Sequence, residues 1–172
     1  ASGSRAIPTA GQGLSSAVGP IAVGSRHVCA VYDAFTYCWG SHSSGQIGDG
    51  SQFNRPSPQG IGLSSVIALG AGATHSCALI SGGTIKCWGG NVFGQLGTGD
   101  FADRLVPTNV SGLSSPAVAL TVGFNHTCAV LTSGGVQCWG ANDLGAIGDG
   151  TFVNRPSATN VPISVSSGSA PP

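Results

Sequence analysis

One pattern occurs three times in this chain and restricts what it can become. Its middle copy runs from His75 to Gly99, HSCALISGGTIKCWGGNVFGQLGTG. The first, His27 to Gly50, reads HVCAVYDAFTYCWGSHSSGQIGDG, and the third, His126 to Gly150, reads HTCAVLTSGGVQCWGANDLGAIGDG. Trp39, Trp88 and Trp139 mark the period, at spacings of 49 and 51 residues. A period of this length denotes stacked copies of one supersecondary unit, each too small to bury its own apolar face alone.

Within the middle copy, HSCAL and TIKCW flank Ser81-Gly82-Gly83, a hairpin signature. Reflection about Gly82 sets Cys77 opposite Cys87. Alternation then places His75, Cys77, Leu79, Ile85 and Cys87 on one face, with Lys86 and Trp88 on the other. Apolar residues on both faces predict a small sheet packed between two neighbours, as in stacked blades; a β-solenoid and a β-sandwich are the alternatives. Val, Ile and Thr recur in short runs, Glu is absent and Lys86 is the only lysine, which favours strands over helices. The loop glycines Gly94, Gly97 and Gly99 recur as Gly45, Gly48, Gly50 and as Gly145, Gly148, Gly150. They suit positive φ and close backbone approach. A phosphate cradle would need a following helix or a lysine, and the pattern has neither.

The tetrapeptide GLSS, at Gly13, Gly62 and Gly112, opens each unit. The expected organisation is therefore a segment at 1–12, units at 13–61, 62–111 and 112–161, and a Ser/Gly/Pro tail at 162–172. The first segment resembles the last strand of a unit, because Arg5-Ala-Ile-Pro-Thr matches Arg104-Leu-Val-Pro-Thr. The tail is expected to be held by a neighbouring chain.

The H-x-C-A-[LV] strands, the C-W-G strands, the G-x-[LI]-G-[DT]-G loops and the Arg-Pro pieces at Arg55 and Arg155 resemble the propeller repeat of the regulator-of-chromosome-condensation family. The resemblance covers Arg5 to Val161. It implies an all-β chain of three four-stranded antiparallel propeller-type blades, forming an incomplete propeller or open repeat array. Family members usually carry about seven blades. The paired cysteines look like those of secreted bacterial members. The family's best-known activity is nucleotide exchange on a small nuclear GTPase, with chromatin binding. It is not expected here, since the blade number, a basic surface and an exchange loop are missing. Another member inhibits β-lactamases through its end loops, so the scaffold can serve as a binding module.

Hairpin geometry pairs Cys29 with Cys38, Cys77 with Cys87, and Cys128 with Cys138. Three local disulfides imply an oxidising compartment and a secreted or extracellular location. Zinc held by His75, Cys77 and Cys87 is the alternative, but no C-x-x-C spacing supports it; no metal or cofactor is expected. His27, His75 and His126 are expected to be structural, bonding neighbouring backbone. A catalytic histidine needs a nucleophile and an orienting acid, and threefold repetition argues against a single active site. No enzyme is expected. His42 is expected to be exposed in its loop. Trp39, Trp88 and Trp139 read as packing residues, and Arg55, Arg104 and Arg155 as bridges between units. Asp49 and Asp149 read as turn formers, with Thr98 in the middle copy. Asp100 and Asp103 are neighbours, but two carboxylates do not specify calcium. Asn109-Val-Ser and Asn125-His-Thr are glycosylation sequons.

Net charge is +0 with six basic residues. That excludes the basic patch a nucleic-acid partner demands, and it permits self-association. No apolar run is long enough to span a membrane. Ala1 at the start fits a processed mature end. Three blades leave a sheet face open at each end. A piece of a longer propeller, a six-blade ring of two chains and an open filament all remain as outcomes. The expectation carried forward is an extracellular structural repeat protein that self-assembles head to tail by strand addition, with a filament as one result. The alternative is an extracellular binding module whose blade-end loops, bearing Phe53, Val92, Phe93, Phe101 and Phe152, recognise a protein or glycan.

Overall fold

The computed structural model describes residues 18–163. The segment at 1–12 and nearly all of the tail, and with them the expected contacts of Arg5 and of that tail, lie outside the described residues. β1 (Val18–Val23), β2 (His27–Tyr32), β3 (Phe35–Gly40) and β4 (Arg55–Ser64) form the first sheet. β5 (Val66–Ala71), β6 (His75–Ile80), β7 (Thr84–Gly89) and β8 (Arg104–Asn109) form the second. β9 (Ala117–Val122), β10 (His126–Leu131), β11 (Val136–Gly140) and β12 (Arg155–Asn160) form the third. Each is antiparallel in simple chain order. The architecture is thus all-β, three four-stranded sheets not closed into a ring, and it is neither solenoid nor sandwich. The GLSS piece at Gly62 runs through the end of β4.

The central hairpins carry the register that reflection predicts. His75 faces Gly89, Ser76 faces Trp88 and Cys77 faces Cys87; Cys29 faces Cys38 and Cys128 faces Cys138. Disulfides close all three pairs, with Cα atoms 4.1 Å apart in each. Each bond closes a short loop, and on the chain-entropy account contributes roughly 2–3 kcal/mol. That pins a two-strand unit which would be marginal alone.

The sheets stack face to face, so each face of the middle one is buried. Cys29, Val31, Cys38 and Ile47 of the first unit meet Val66, Ala78 and Trp88 of the second. Cys77, Leu79, Ile85, Cys87 and Leu96 meet Ala117, Ala129, Leu131 and Trp139 of the third. β5 lies against both β1 and β9 across these joints. Trp88 and Trp139 are fully buried, each removing on the order of 200 Å² from water. Trp39, with no described sheet on its side, is only half-buried.

Polar groups sit inside each joint. His27 Nε2 lies 2.8 Å from Ser76 Oγ, which donates to the Gln46 carbonyl at 2.9 Å. Trp88 Nε1 donates to that carbonyl at 3.0 Å. At the next joint, His75 Nε2 lies 3.0 Å from Thr127 Oγ1, which donates to the Gln95 carbonyl at 3.1 Å. A hydroxyl has one proton, already given to the carbonyl, so the imidazole must donate from Nε2. Nδ1 of both rings is buried without a hydrogen-bond partner, so a second proton there would go unpaired and the neutral ring is favoured. Burial lowers the pKa of His27 to about 4. Burial, with the charges of His27 and His126, lowers that of His75 to about 3.

Acid should accordingly weaken the stack. An unfolded chain takes up these protons near pH 6.5, while the folded chain refuses them until about pH 4. The contribution is complete above the unfolded value and is lost as pH falls between the two. Urea midpoints are expected to drop between about pH 7 and about pH 4, and His75→Gln to flatten that slope; equal slopes would refute the assignment.

The loop carrying Gln46 also touches Trp88 through Gly48. Gly48 has φ +84°, and a Cβ there would stand 2.7 Å from the indole Cδ1. Gly50 has φ +83° but its nearest neighbour would be 3.8 Å away. Both alanine variants incur backbone strain, and only Gly48→Ala adds a clash. Gly48→Ala is expected to cost about 1–3 kcal/mol more than Gly50→Ala in chemical denaturation.

Candidate functional site at the loop end

Antiparallel order places the β1–β2 and β3–β4 connections, and their counterparts, at one end of every blade. The long loops there span 41–54, 90–103 and 141–154. Each is folded around one buried side chain. Asn91 Oδ1 accepts from Leu96 N at 2.9 Å, while its Nδ2 donates to the carbonyls of Asp100 and Ala102 at 2.9 and 3.0 Å. Asn142 Oδ1 accepts from Ile147 N at 2.9 Å, and its Nδ2 reaches the carbonyls of Thr151 and Val153 at 3.0 and 3.1 Å.

His42 holds this position in the first loop. It is fully buried, which corrects the expectation that it is exposed. Its Nδ1 accepts from Ile47 N at 3.0 Å, so the proton is on Nε2, 2.8 Å from Asp49 Oδ1. Imidazole thus reproduces the donor and acceptor of an asparagine amide. The signal was present in the sequence, since His42, Asn91 and Asn142 each stand three residues after the tryptophan of C-W-G.

The arginines clamp their own loops rather than bridging units. Arg55 Nε donates to Asp49 Oδ2 at 2.6 Å, Arg104 Nη2 to Asp100 Oδ2 at 2.6 Å, and Arg155 Nε to Asp149 Oδ2 at 2.5 Å. Asp100 replaces Asp49 and Asp149 because the middle loop reads Thr98-Gly99-Asp100 where the others read Asp-Gly-Ser or Asp-Gly-Thr. Burial alone would raise the Asp149 carboxyl, but hydrogen bonds from Thr151, Arg155 and Asn142 outweigh it and hold it at about 2. The Asp49 carboxyl is lowered in the same way by Ser51, His42 and Arg55. Arg104 lowers that of Asp100. Asp103 accepts from Asn91 N at 2.8 Å, the role of Asn54 and Asn154 elsewhere. Both middle-loop carboxylates are therefore committed within the loop.

What this base raises into solvent is apolar. Phe53 is 77% exposed and Leu144 87%, and Phe101, Phe152, Val92 and Val153 are also exposed at this end. Phe93 is more sheltered. Apolar tips over a neutralised, internally bonded base suit contact with another protein's apolar surface. His27 and His75 are committed to the joints through Ser76 and Thr127, residues the sequence reading did not single out. His126 is half-buried on the outward face of the third sheet. Asn109 is exposed and accepts from Lys86 Nζ at 2.7 Å. Asn125 is half-buried, and the threonine of its sequon is the Thr127 of the joint. The cysteines are all disulfide-bonded, so the zinc alternative has no thiolate to use.

A family model described as the regulator of chromosome condensation (RCC1) repeat matches residues 35–79 and 83–130, and a second of the same description matches 66–95 and 117–146. Among solved structures, Prp20p from Saccharomyces cerevisiae, described with its binding properties to Gsp1p and histones, aligns with TM-score 0.75 and 21% identity. That alignment covers 82% of this chain and 37% of Prp20p. Yeast RCC1 (Prp20) bound to Kap60 gives 0.73 and 21%, covering 82% and 36%. Human WBSCR16 gives 0.71 and 20%, covering 86% and 41%. The chain spans well under half of each, and likeness at this identity shows the fold.

These relatives correct several expectations. The yeast protein is described by the other proteins it meets, Gsp1p, histones and Kap60. That overturns the head-to-tail self-assembling structural subunit, its filament and self as the partner. Histones are nuclear, so the secreted or extracellular location, and the extracellular binding module with its glycan, are overturned too. Compartment was inferred from the cysteines. Buried disulfides, however, resist reduction because an attacking thiolate cannot reach them, and Cys29, Cys38, Cys77 and Cys87 are 0% exposed. The expectation of no enzyme falls as well, because RCC1 homologues act as a GTPase exchange factor, Prp20p being described with its binding to Gsp1p. Exchange breaks no covalent bond in the nucleotide, so a search for a nucleophile and an acid–base pair does not detect it. The matched repeats, the three stacked sheets and the three disulfides make this chain a cysteine-paired member of the regulator of chromosome condensation (RCC1) repeat family.

Proposed function

We propose that the chain is a docking portion of an RCC1-type propeller, which engages a small GTPase of the Gsp1p kind through its loop end and promotes nucleotide release. The observation that carries this reading is the row of apolar tips, Phe53, Phe101, Phe152, Val92 and Leu144, on one end of the stack. Their loops are braced from inside by His42, Asn91 and Asn142. A braced loop loses little conformational freedom on binding, which favours affinity.

The mechanism needs no reacting side chain. A partner that binds the nucleotide-free GTPase more tightly than the loaded form weakens nucleotide affinity by the same factor, because the coupling is reciprocal. The chain's part is to present a fixed surface that the empty GTPase matches better. In this reading it works among nuclear proteins.

The experiment is to load purified Gsp1p with a fluorescent guanine nucleotide and follow its release with and without the full chain. Faster release is expected. The Phe101→Ala, Phe152→Ala double variant is expected to weaken binding by about tenfold or more, as loss of aromatic anchors does, with an unchanged unfolding midpoint. If the GTPase neither binds the chain nor releases nucleotide faster, the reading fails.

A further inference from the structure

The three disulfides are chemically alike and differ in access. We propose that Cys128–Cys138 is a redox switch: a small monothiol of the glutathione kind reaches it and opens it, which loosens the third blade while the first two stay locked. The inference concerns the β10–β11 hairpin and stands independently of the proposed GTPase contact.

The first two disulfides project into the joints. Cys29 and Cys38 cluster with Val66, Ala78 and Trp88 of the second sheet. Cys77 and Cys87 cluster with Ala117, Ala129, Leu131 and Trp139 of the third. A hydroxyl of the next sheet stands over each bond: Ser76 Oγ lies 3.7 Å from Cys29 Sγ, and Thr127 Oγ1 3.8 Å from Cys77 Sγ. These four cysteines are 0% exposed. No such hydroxyl stands over the third bond among the described residues. Cys128 is only half-buried and lines an apolar hollow of about 250 Å³ with Leu120, Val130 and Val136. Val130 is 40% exposed, whereas Leu79, at the same place in the second sheet, is 1% exposed. Cys138 is the more sheltered partner, at 4%.

Thiol–disulfide exchange requires a thiolate to reach one sulfur of the bond, and the hollow presents Cys128. The thiolate attacks Cys128 Sγ; a mixed disulfide forms there, the bond to Cys138 breaks, and Cys138 leaves as a thiolate. A second thiolate then attacks the sulfur of the bound monothiol. The external disulfide forms, and Cys128 leaves as a thiolate in turn. Two monothiols are oxidised to one disulfide, and the protein takes up their two electrons and two protons. The hairpin is then held by backbone bonds and packing, and two strands alone are marginal. The third blade has one described neighbour to lean on, which is the weakest position in a stack. The first blade also has one, but its disulfide faces into the joint and stays closed.

The test exposes the full chain to reduced glutathione under native conditions, quenches samples over time with an alkylating reagent, and maps the labelled cysteines by mass spectrometry. Cys128 and Cys138 are expected to open about tenfold or more faster than the other two pairs, with the glutathione mixed disulfide on Cys128. Three pairs opening at one rate, another pair opening first, no pair opening before the chain unfolds, or glutathione found on Cys138 instead each overturns the proposal. With that bond open, amide hydrogen exchange is expected to rise in β10 and β11 and to stay unchanged in β2, β3, β6 and β7. Unchanged exchange in β10 and β11 would mean that the bond switches nothing, and the proposal fails.

Discussion

A hydroxyl buried between an imidazole and a carbonyl holds this structure in register. Sheet-on-sheet packing of Cys, Val, Ile and Leu is non-directional, and apolar faces tolerate sliding. The bond from His27 to Ser76 and on to the Gln46 carbonyl does not tolerate it, nor does its counterpart from His75 to Gln95. Each buried polar atom left unpaired by a slip would lose its bond and its hydration together. Packing holds the blades together, and these bonds fix where each blade sits. The carbonyl in each joint belongs to the long loop of the preceding unit. The loop end and the stack are therefore one construction.

That connection explains the conservatism of the loops' inner chemistry across the three units, beside the variety of their tips. His42, Asn91 and Asn142 do the same work with different groups, because each offers one acceptor and one donor at similar reach. Asp100 substitutes for Asp49 and Asp149 from two residues later, because Arg104 can turn to meet it. The tips answer to no such requirement. The side chains of Phe53, Phe101, Phe152, Val92 and Leu144 project away from these bonds into solvent, so they are free to suit a partner.

Much of the fold could be read from the sequence, because strand period, hairpin reflection and the tryptophan spacing are local or repeat-level signals. The Cys77–Cys87 register follows from symmetry about Gly82 alone. The joints were less legible. Ser76 and Thr127 look like ordinary solvent-facing strand residues until a second sheet is placed over them. His42 was misread because a histidine in a loop was weighed by its type. Alignment of the three loops would have identified it as the counterpart of Asn91 and Asn142. The arginines were misplaced for a similar reason. Repetition showed that they are structural, but repetition cannot say whether a repeated contact lies within a unit or between units.

The functional reading failed for a different physical reason. Titratable clusters and nucleophiles report chemistry in which a side chain exchanges protons or bonds with a substrate. An activity that consists of preferring one state of a partner leaves no such trace, since its free energy is spread over contact area. In a repeat scaffold, moreover, the residues that repeat are those that hold the stack, and repetition draws attention to them. Residues that meet a partner are under no pressure to recur in register. The exposed Phe53 is offset by one place from Phe101 and Phe152 relative to the arginine that follows each. Departure from the repeat, at the tips of the loops, is accordingly where information about partners resides in a chain of this kind.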